Sequence, residues 1–291
     1  MWNVIASALL LTAPAQADEF GDYWYKGKAE ITSYKLSQAR YGENHDGHAV
    51  LIFVTEDFSN SKQVKLDRPE RTPEDAVTVL KLNATRKFNT GIYPYSMMTS
   101  VFTPVSADKY PKTLKVTTSS QEWCGHTFTQ LNLTNDGYKA NLLSYFEREG
   151  DRELVWRDGI PEDELWVRIR LAPDQLPIGP TRLIPATMFQ RLRHTAWGVH
   201  PASASRHAHP TDPNLTVYTI AYENIDRHVS IAYQTAFPHT IESWEETSRS
   251  GFGPNAKTRT TTARRKQRVM SAYWRQHNNE HAYLRNELGL E

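Results

Sequence analysis

The sequence contains one cysteine, Cys124, in 291 residues. A single thiol excludes an internal disulfide framework and any zinc site built from several thiolates. The 34 Lys and Arg are balanced by 33 Asp and Glu, so the chain lacks the basic excess of a dedicated nucleic-acid binder. No apolar run reaches the roughly 18–20 residues that a transmembrane helix needs. We therefore expect neither a nucleic-acid partner nor a transmembrane segment.

Nucleotide-binding loops are also missing. The sequence has no Gly-x-Gly-x-x-Gly fingerprint and no P-loop, the two glycine-rich patterns that cradle phosphates. The short glycine-rich run at 250–254 ends in Pro254 and is more typical of a bend beside a strand. We predict no cofactor.

The N-terminus is organised like a secretory signal peptide. An apolar run from Val4 to Ala15 ends in the small-x-small triplet 15–17, although no Lys or Arg precedes it. This pattern predicts export, with cleavage after Ala17, into the periplasm or the medium. The alternative is a buried first strand or helix. We expect residues 18–291 to form a single β-rich domain.

Strand patterns dominate the mature chain. Apolar and polar residues alternate from Tyr23 to Thr32, which predicts a half-buried strand, and the continuous apolar run 49–55 predicts a strand covered on both faces. Further strands are predicted at 77–88, 96–105, 113–118, 126–133, 138–146, 215–222, 228–235 and 240–247. Turn residues separate them, and Asn135-Asp-Gly137 predicts a tight hairpin. The His- and Pro-rich segment 195–213 reads as a long exposed connection.

Two segments have helical character. Pro161 followed by three acidic residues predicts a short middle helix that ends at Leu171. From Ala263 to Leu288 the chain has no Pro or Gly and many helix formers, which predicts a C-terminal helix at about 263–288. This helix is basic, so it could lie on a membrane or an acidic partner, or simply close the domain. The predicted fold is mainly β: an antiparallel open barrel or strongly curved sheet, with these two helices.

The most distinctive local feature is the segment 121–126. If Cys124 and His126 share a strand face, their Cα atoms lie about 6–7 Å apart, close enough for histidine to activate the thiol. Gln121 or backbone N–H groups could then stabilise an oxyanion. The alternative is a small buried cysteine beside a core tryptophan.

Aromatic side chains provide candidates for ligand binding. With 8 Trp and 14 Tyr, the chain has rings that could line an apolar groove or stack on sugars, and a β-rich core uses the same residues. We take Trp123, Trp244 and Tyr25 as the candidate ligand-binding residues.

Metal and paired-carboxylate sites are weaker hypotheses. His207 and His209 could converge on a metal ion, but solvated histidines explain the same pattern, and we predict no metal site. Acidic pairs such as Glu245-Glu246 face opposite sides of a strand, whereas glycoside hydrolysis needs two carboxyls across a cleft.

Several stretches together resemble a known family. They are 23–30, 49–58, 117–125, 144–147, 244–247, 250–253 and 273–274. They resemble exported bacterial proteins of unknown activity that are sometimes labelled septum formation inhibitor Maf. These differ from the Maf nucleotide pyrophosphatases, whose Ser-x-Ser-Pro-Arg-Arg motif is absent here; the nearest stretch is 203–207.

Two functions follow as expectations. The first is a noncatalytic, exported protein of the cell envelope that binds a lipid, another hydrophobic ligand or an envelope protein. The second is an exported thiol enzyme, hydrolase-like, that uses Cys124 and His126. A module that binds cell-wall glycans through exposed aromatic residues is a third possibility.

Overall fold

The computed structural model describes residues 19–290. The predicted signal peptide, residues 1–17 with cleavage after Ala17, lies outside the described residues. The described part begins with a short helix, α1 (Glu19–Trp24). None of the helices in this part is long and apolar enough to cross a membrane.

Eight antiparallel strands follow one another in the first half of the chain. They are β1 (Ala29–Arg40), β2 (Glu43–Ser59), β3 (Ala76–Thr90), β4 (Tyr93–Pro104), β5 (Lys115–Glu122), β6 (Gly125–Thr134), β7 (Gly137–Ser144) and β8 (Arg152–Trp156). The predicted Asn-Asp-Gly hairpin joins β6 to β7, where Gly137 has φ +113° and a Cβ would lie 2.1 Å from the carbonyl oxygen of Trp156. Only glycine fits this position.

The middle of the chain alternates short strands and helices. The elements are β9 (Ile160–Pro161), α2 (Glu162–Leu171), β10 (Gly179–Ile184) and α3 (Thr187–Arg193). The predicted middle helix is confirmed by α2. Its first turn is acidic, which places carboxylates at the positive, N-terminal end of the helix dipole.

The second half is another antiparallel run. Its strands are β11 (His200–Ala208), β12 (Leu215–Tyr222), β13 (Arg227–Gln234), β14 (Ile241–Ser250) and β15 (Lys257–Ser271), and a last short helix is α4 (Leu284–Glu287). Strand β15 pairs with both β14 and β1, so it joins the two halves into one sheet of 15 strands, ordered from β8 through β1 and β15 to β9. All pairs are antiparallel except the parallel pair β9–β10.

The sheet is strongly curved and is not closed into a barrel. Its two edge strands, β8 and β9, are separated by only residues 157–159 in the chain. Four residue steps span at most about 14 Å, so the chain itself holds the two edges close together. The mainly β, curved-sheet prediction is confirmed; within residues 19–290 no ladder pairs β8 with β9.

The concave side of the sheet is filled by α2 and α3. Helix α2 buries charges as well as apolar groups, and two of these charges pair with charged residues on strands. Arg170 binds both carboxylate oxygens of Glu30 on β1 at 2.6 and 2.7 Å, and Arg227 on β13 binds Glu162. Because buried charges need such partners, these pairs fix the position of α2 in the core.

Three sequence predictions are wrong. Residues 263–271 belong to β15, and the only α-helix after them in the described chain is α4, because pairing with strands on both sides outweighs helix propensity. The segment predicted as an exposed connection at 195–213 contains β11, which is hydrogen-bonded to β10 on one side and to β12 on the other. Finally, Tyr23 and Trp24 end α1, and the first strand begins only at Ala29.

After β15 the chain runs back across the outer, convex face. Leu288 and Leu290 pack on the outward side chains of Ile31 and Val50, and the Ser33 hydroxyl donates a hydrogen bond to the carbonyl of Leu288 at 2.5 Å. This C-terminal segment therefore covers part of the outer face of the central strands.

Candidate functional site

One end of the curved sheet encloses a cavity of about 730 Å³, within the range of small-molecule sites. The turns β1–β2, β5–β6, β7–β8 and β14–β15 all lie at this end because the strands alternate in direction. Residues from these turns and from the end of α3 line the space, which we call the end cavity. Five arginines and three glutamates are among its lining residues: Arg40, Arg148, Arg152, Arg191, Arg193, Glu122, Glu147 and Glu149.

Arg191 is the most buried charge in the wall of the end cavity. It lies in the last turn of α3 and is only 3% exposed. Its Nη2 donates to Glu122 Oε1 at 3.4 Å and its Nη1 to His194 Nε2 at 3.2 Å, but its Nε has no partner. Burial lowers the pKa of this guanidinium. The Nε is also closed off from solvent, so the side chain keeps one donor unsatisfied inside the wall.

Two further arginines, Arg40 and Arg193, lie at the same end of α3. Arg40 is buried, donates a hydrogen bond to the carbonyl of Leu192 and lies 4.1 Å from the centroid of the Tyr41 ring. It therefore satisfies a carbonyl at the C-terminus of α3, where a cation is favourable. Burial, reinforced by the charge of Arg40, lowers the pKa of Arg193. Neither Arg40 nor Arg193 takes part in an ion pair within residues 19–290.

A chain of hydrogen bonds orients Arg191. His194 Nε2 accepts from Arg191, so its Nδ1 carries the hydrogen that is donated to Glu149 Oε1 at 2.5 Å. Burial opposes ionisation of Glu149, but hydrogen bonds from His194 and Ser144 outweigh it and lower the pKa of the carboxyl. Glu149 thus stays an anion that holds His194 and, through it, Arg191.

The rest of the cavity wall is largely apolar. Leu142, Phe146, Trp197 and Phe252 contribute to it, and the Arg191 guanidinium lies 4.6 Å from the centroid of the Phe146 ring. A cationic group beside apolar and aromatic side chains is suited to a molecule with an acidic group and an apolar body.

The predicted thiol site is divided between two cavities. Cys124 lies in the two-residue turn between β5 and β6, is exposed and lines the end cavity. Gln121 and His126 pair across the β5–β6 ladder and line an adjoining groove of about 600 Å³, which Cys124 does not line. A hydrogen bond with Glu122 raises the pKa of the Cys124 thiol, which disfavours the nucleophilic thiolate.

The three candidate aromatic residues lie in three different places. Trp123 is 66% exposed in the β5–β6 turn, with its ring centroid 6.4 Å from that of Tyr93. Tyr25 is exposed just after α1. Trp244 is buried against Tyr34 and beside an internal space of about 40 Å³, large enough for water molecules only. The structure therefore does not bring these rings together around one ligand.

The histidine pair does not form a metal site. His207 is exposed on β11, and the His209 ring accepts hydrogen bonds from the backbone of residues that follow it. Among residues 19–290, no group of three or more His, Cys, Asp or Glu side chains is arranged to hold a metal ion.

The cationic residues of the end cavity were missed by sequence reasoning. The available signal was the run Arg191-Leu192-Arg193-His194, one residue after the apolar Met188 and Phe189. Basic residues at a helix C-terminus are usually solvated, and nothing in the local pattern indicates that α3 is enclosed by the sheet.

Comparison with models of known protein families finds no match, and a search of curated proteins finds no similar sequence. The resemblance to exported proteins of unknown activity stays a prediction.

Proposed function

We propose that this protein is a noncatalytic, exported binding protein of the cell envelope whose end cavity holds an amphiphilic ligand with an acidic group. The observation that carries this proposal is the excess of cations in the wall of the 730 Å³ space, five arginines against three glutamates, with apolar side chains beside them. Its periplasmic location is part of the proposal and rests on the N-terminal sequence.

The physical argument starts from the charge balance of the cavity wall. The wall contains five arginines and three glutamates, so a bound anion would offset the excess positive charge. A carboxylate or phosphate of a ligand would accept hydrogen bonds from the guanidinium groups of the wall, Arg191 among them. Leu142, Trp197 and Phe252 offer apolar surface to the remainder of the same molecule.

The thiol-enzyme alternative has less support. It requires Cys124 as a thiolate and His126 as its base. The raised pKa of Cys124 and the position of His126 in the adjoining groove, which Cys124 does not line, both count against it. The exposure of Cys124 at the rim of the end cavity is the one observation in its favour.

Native mass spectrometry of protein purified gently from its own envelope tests the proposal. We expect an adduct that organic solvent releases and that ionises as an acid. The Arg191→Gln protein should lack it, whereas Arg71→Gln, which changes an exposed arginine elsewhere, should retain it. A wild-type protein that carries no adduct and takes up no added dodecanoate would contradict the proposal.

A further inference from the structure

The strand register places four basic residues in a line across the outer face. Lys35 on β1 is opposite Arg264 on β15 and opposite His48 on β2, and His48 is opposite Lys87 on β3. Neighbouring strands are about 4.8 Å apart, so this basic row is about 14 Å long. The residues that flank Lys35, Tyr34 and Leu36, are buried in the core, which places the row on the convex side.

The basic row has little charge compensation. Lys35, Lys87 and Arg264 are exposed, and none of them takes part in an ion pair within residues 19–290. Burial and the nearby Lys87 lower the pKa of His48. Like charges on opposite residues of a sheet destabilise it, and an external anion would relieve that repulsion.

Exposed apolar side chains continue on the same face. The line of paired residues continues from Lys87 to Ser96 on β4, Gln121 on β5 and His126 on β6. Two residues further along β4 and β6 lie Met98 and Phe128, which point to the same side, and Leu143 on β7 is opposite Phe128. These three side chains are 41, 39 and 49% exposed and line the 600 Å³ groove.

We propose that this outer face is a docking surface for a membrane that contains anionic phospholipids. The basic row would contact the phosphate-bearing headgroups, and Met98, Phe128 and Leu143 would insert into the boundary between headgroups and acyl chains. Cations beside exposed apolar groups are the combination that peripheral membrane proteins use. A soluble polyanion would use the row but would have no need of the apolar trio. The surface adjoins the end cavity at Leu143, which lines both, whereas none of the four residues of the basic row lines that cavity.

Vesicle sedimentation with the mature protein tests this surface. We expect binding to vesicles of phosphatidylglycerol and phosphatidylcholine in a 1:1 ratio, and little binding to phosphatidylcholine alone. Each basic residue near an anionic surface contributes about fivefold to the affinity. The triple variant Lys35→Gln, Lys87→Gln, Arg264→Gln should therefore bind about a hundredfold more weakly.

The matched control removes three exposed lysines near the opposite end of the sheet. Lys62→Gln, Lys109→Gln, Lys112→Gln makes the same change in net charge and should bind like the wild type. A second variant, Met98→Ser, Phe128→Ser, Leu143→Ser, tests the apolar contacts at 0.5 M salt. Salt at this concentration screens the attraction between the basic row and the lipid phosphates, because the Debye length is then under about 8 Å. The remaining binding is mainly apolar, so this variant should lose it.

Three results would overturn the proposal. The first is equal binding of wild type and basic-row variant to the anionic vesicles, with both proteins folded by circular dichroism. The second is equal binding of the wild type to neutral and anionic vesicles. The third is tight binding of heparin without binding of vesicles, which would identify a soluble polyanion as the partner.

Discussion

The guanidinium of Arg191 is hydrogen-bonded to the imidazole of His194, which in turn donates to Glu149. Glu149 lies in the β7–β8 turn, 45 residues earlier in the chain. These two hydrogen bonds link the last turn of α3 to the β7–β8 turn and hold Arg191 in place before a ligand binds. Such preorganisation lowers the cost of binding.

The chemical state of Cys124 can be tested directly. Since Glu122 raises the pKa of the thiol, Cys124 should react with iodoacetamide several times more slowly than glutathione at pH 7.5. Glu122→Gln should accelerate the reaction, because the carboxylate is removed. Cys124 is exposed, so access does not limit the rate. Fast alkylation of the wild type at pH 6 would instead support the thiol-enzyme alternative.

The buried pair of Arg170 and Glu30 should be important for stability. Glu30→Gln leaves the buried Arg170 without a carboxylate partner, and we expect it to lower the free energy of unfolding by about 3–5 kcal/mol. Arg182 forms an ion pair with Asp158 in which both side chains are more than half exposed. As a control, Arg182→Gln should cost less than about 1 kcal/mol. Urea unfolding followed by tryptophan fluorescence measures both; equal small effects would contradict the prediction.

Asp163 should make stability depend on pH. Burial raises the pKa of this carboxyl to about 7, whereas an unfolded aspartate titrates near pH 4. Between these values the folded state binds more protons than the unfolded state, so Asp163 destabilises the protein progressively as the pH rises. The difference in unfolding free energy between Asp163→Asn and wild type should shift in favour of the variant by up to about 4 kcal/mol from pH 4 to pH 8. A pH-independent difference would show that this pKa is not raised.

Local patterns were sufficient to predict most of the sheet. Alternating apolar residues and turn chemistry identify β2 through β7 because each strand pairs mainly with its neighbour in the chain. Helix α2 could also be predicted locally, since Pro161 and the acidic residues after it form a helix start signal.

The elements that were missed depend on distant partners. Strand β15 contains good helix formers, but it pairs with β1, more than 200 residues earlier. The Thr-rich start at 258–262 was the one local sign of a strand.

The candidate site was beyond sequence reasoning for the same reason. Its cavity brings together residues from β1, the β5–β6 and β7–β8 turns and α3, and only the curvature of the whole sheet encloses them. Arg191 and Glu149 therefore have no shared local pattern. Cys124, which was considered on one strand face with His126, lies in the β5–β6 turn, where Glu122 and the end cavity are its surroundings.

Titration calorimetry with dodecanoate and dodecanol tests the central claim most directly. The two ligands share an apolar chain and differ in the acidic group. We predict that the wild type and the Arg71→Gln control bind dodecanoate at least tenfold more tightly than dodecanol, because the carboxylate pairs with the guanidinium groups of the cavity wall, Arg191 among them. Arg191→Gln should lose this preference while it keeps weak binding of both. Equal affinities of the wild type for the two ligands, or an unchanged preference in Arg191→Gln, would contradict the account.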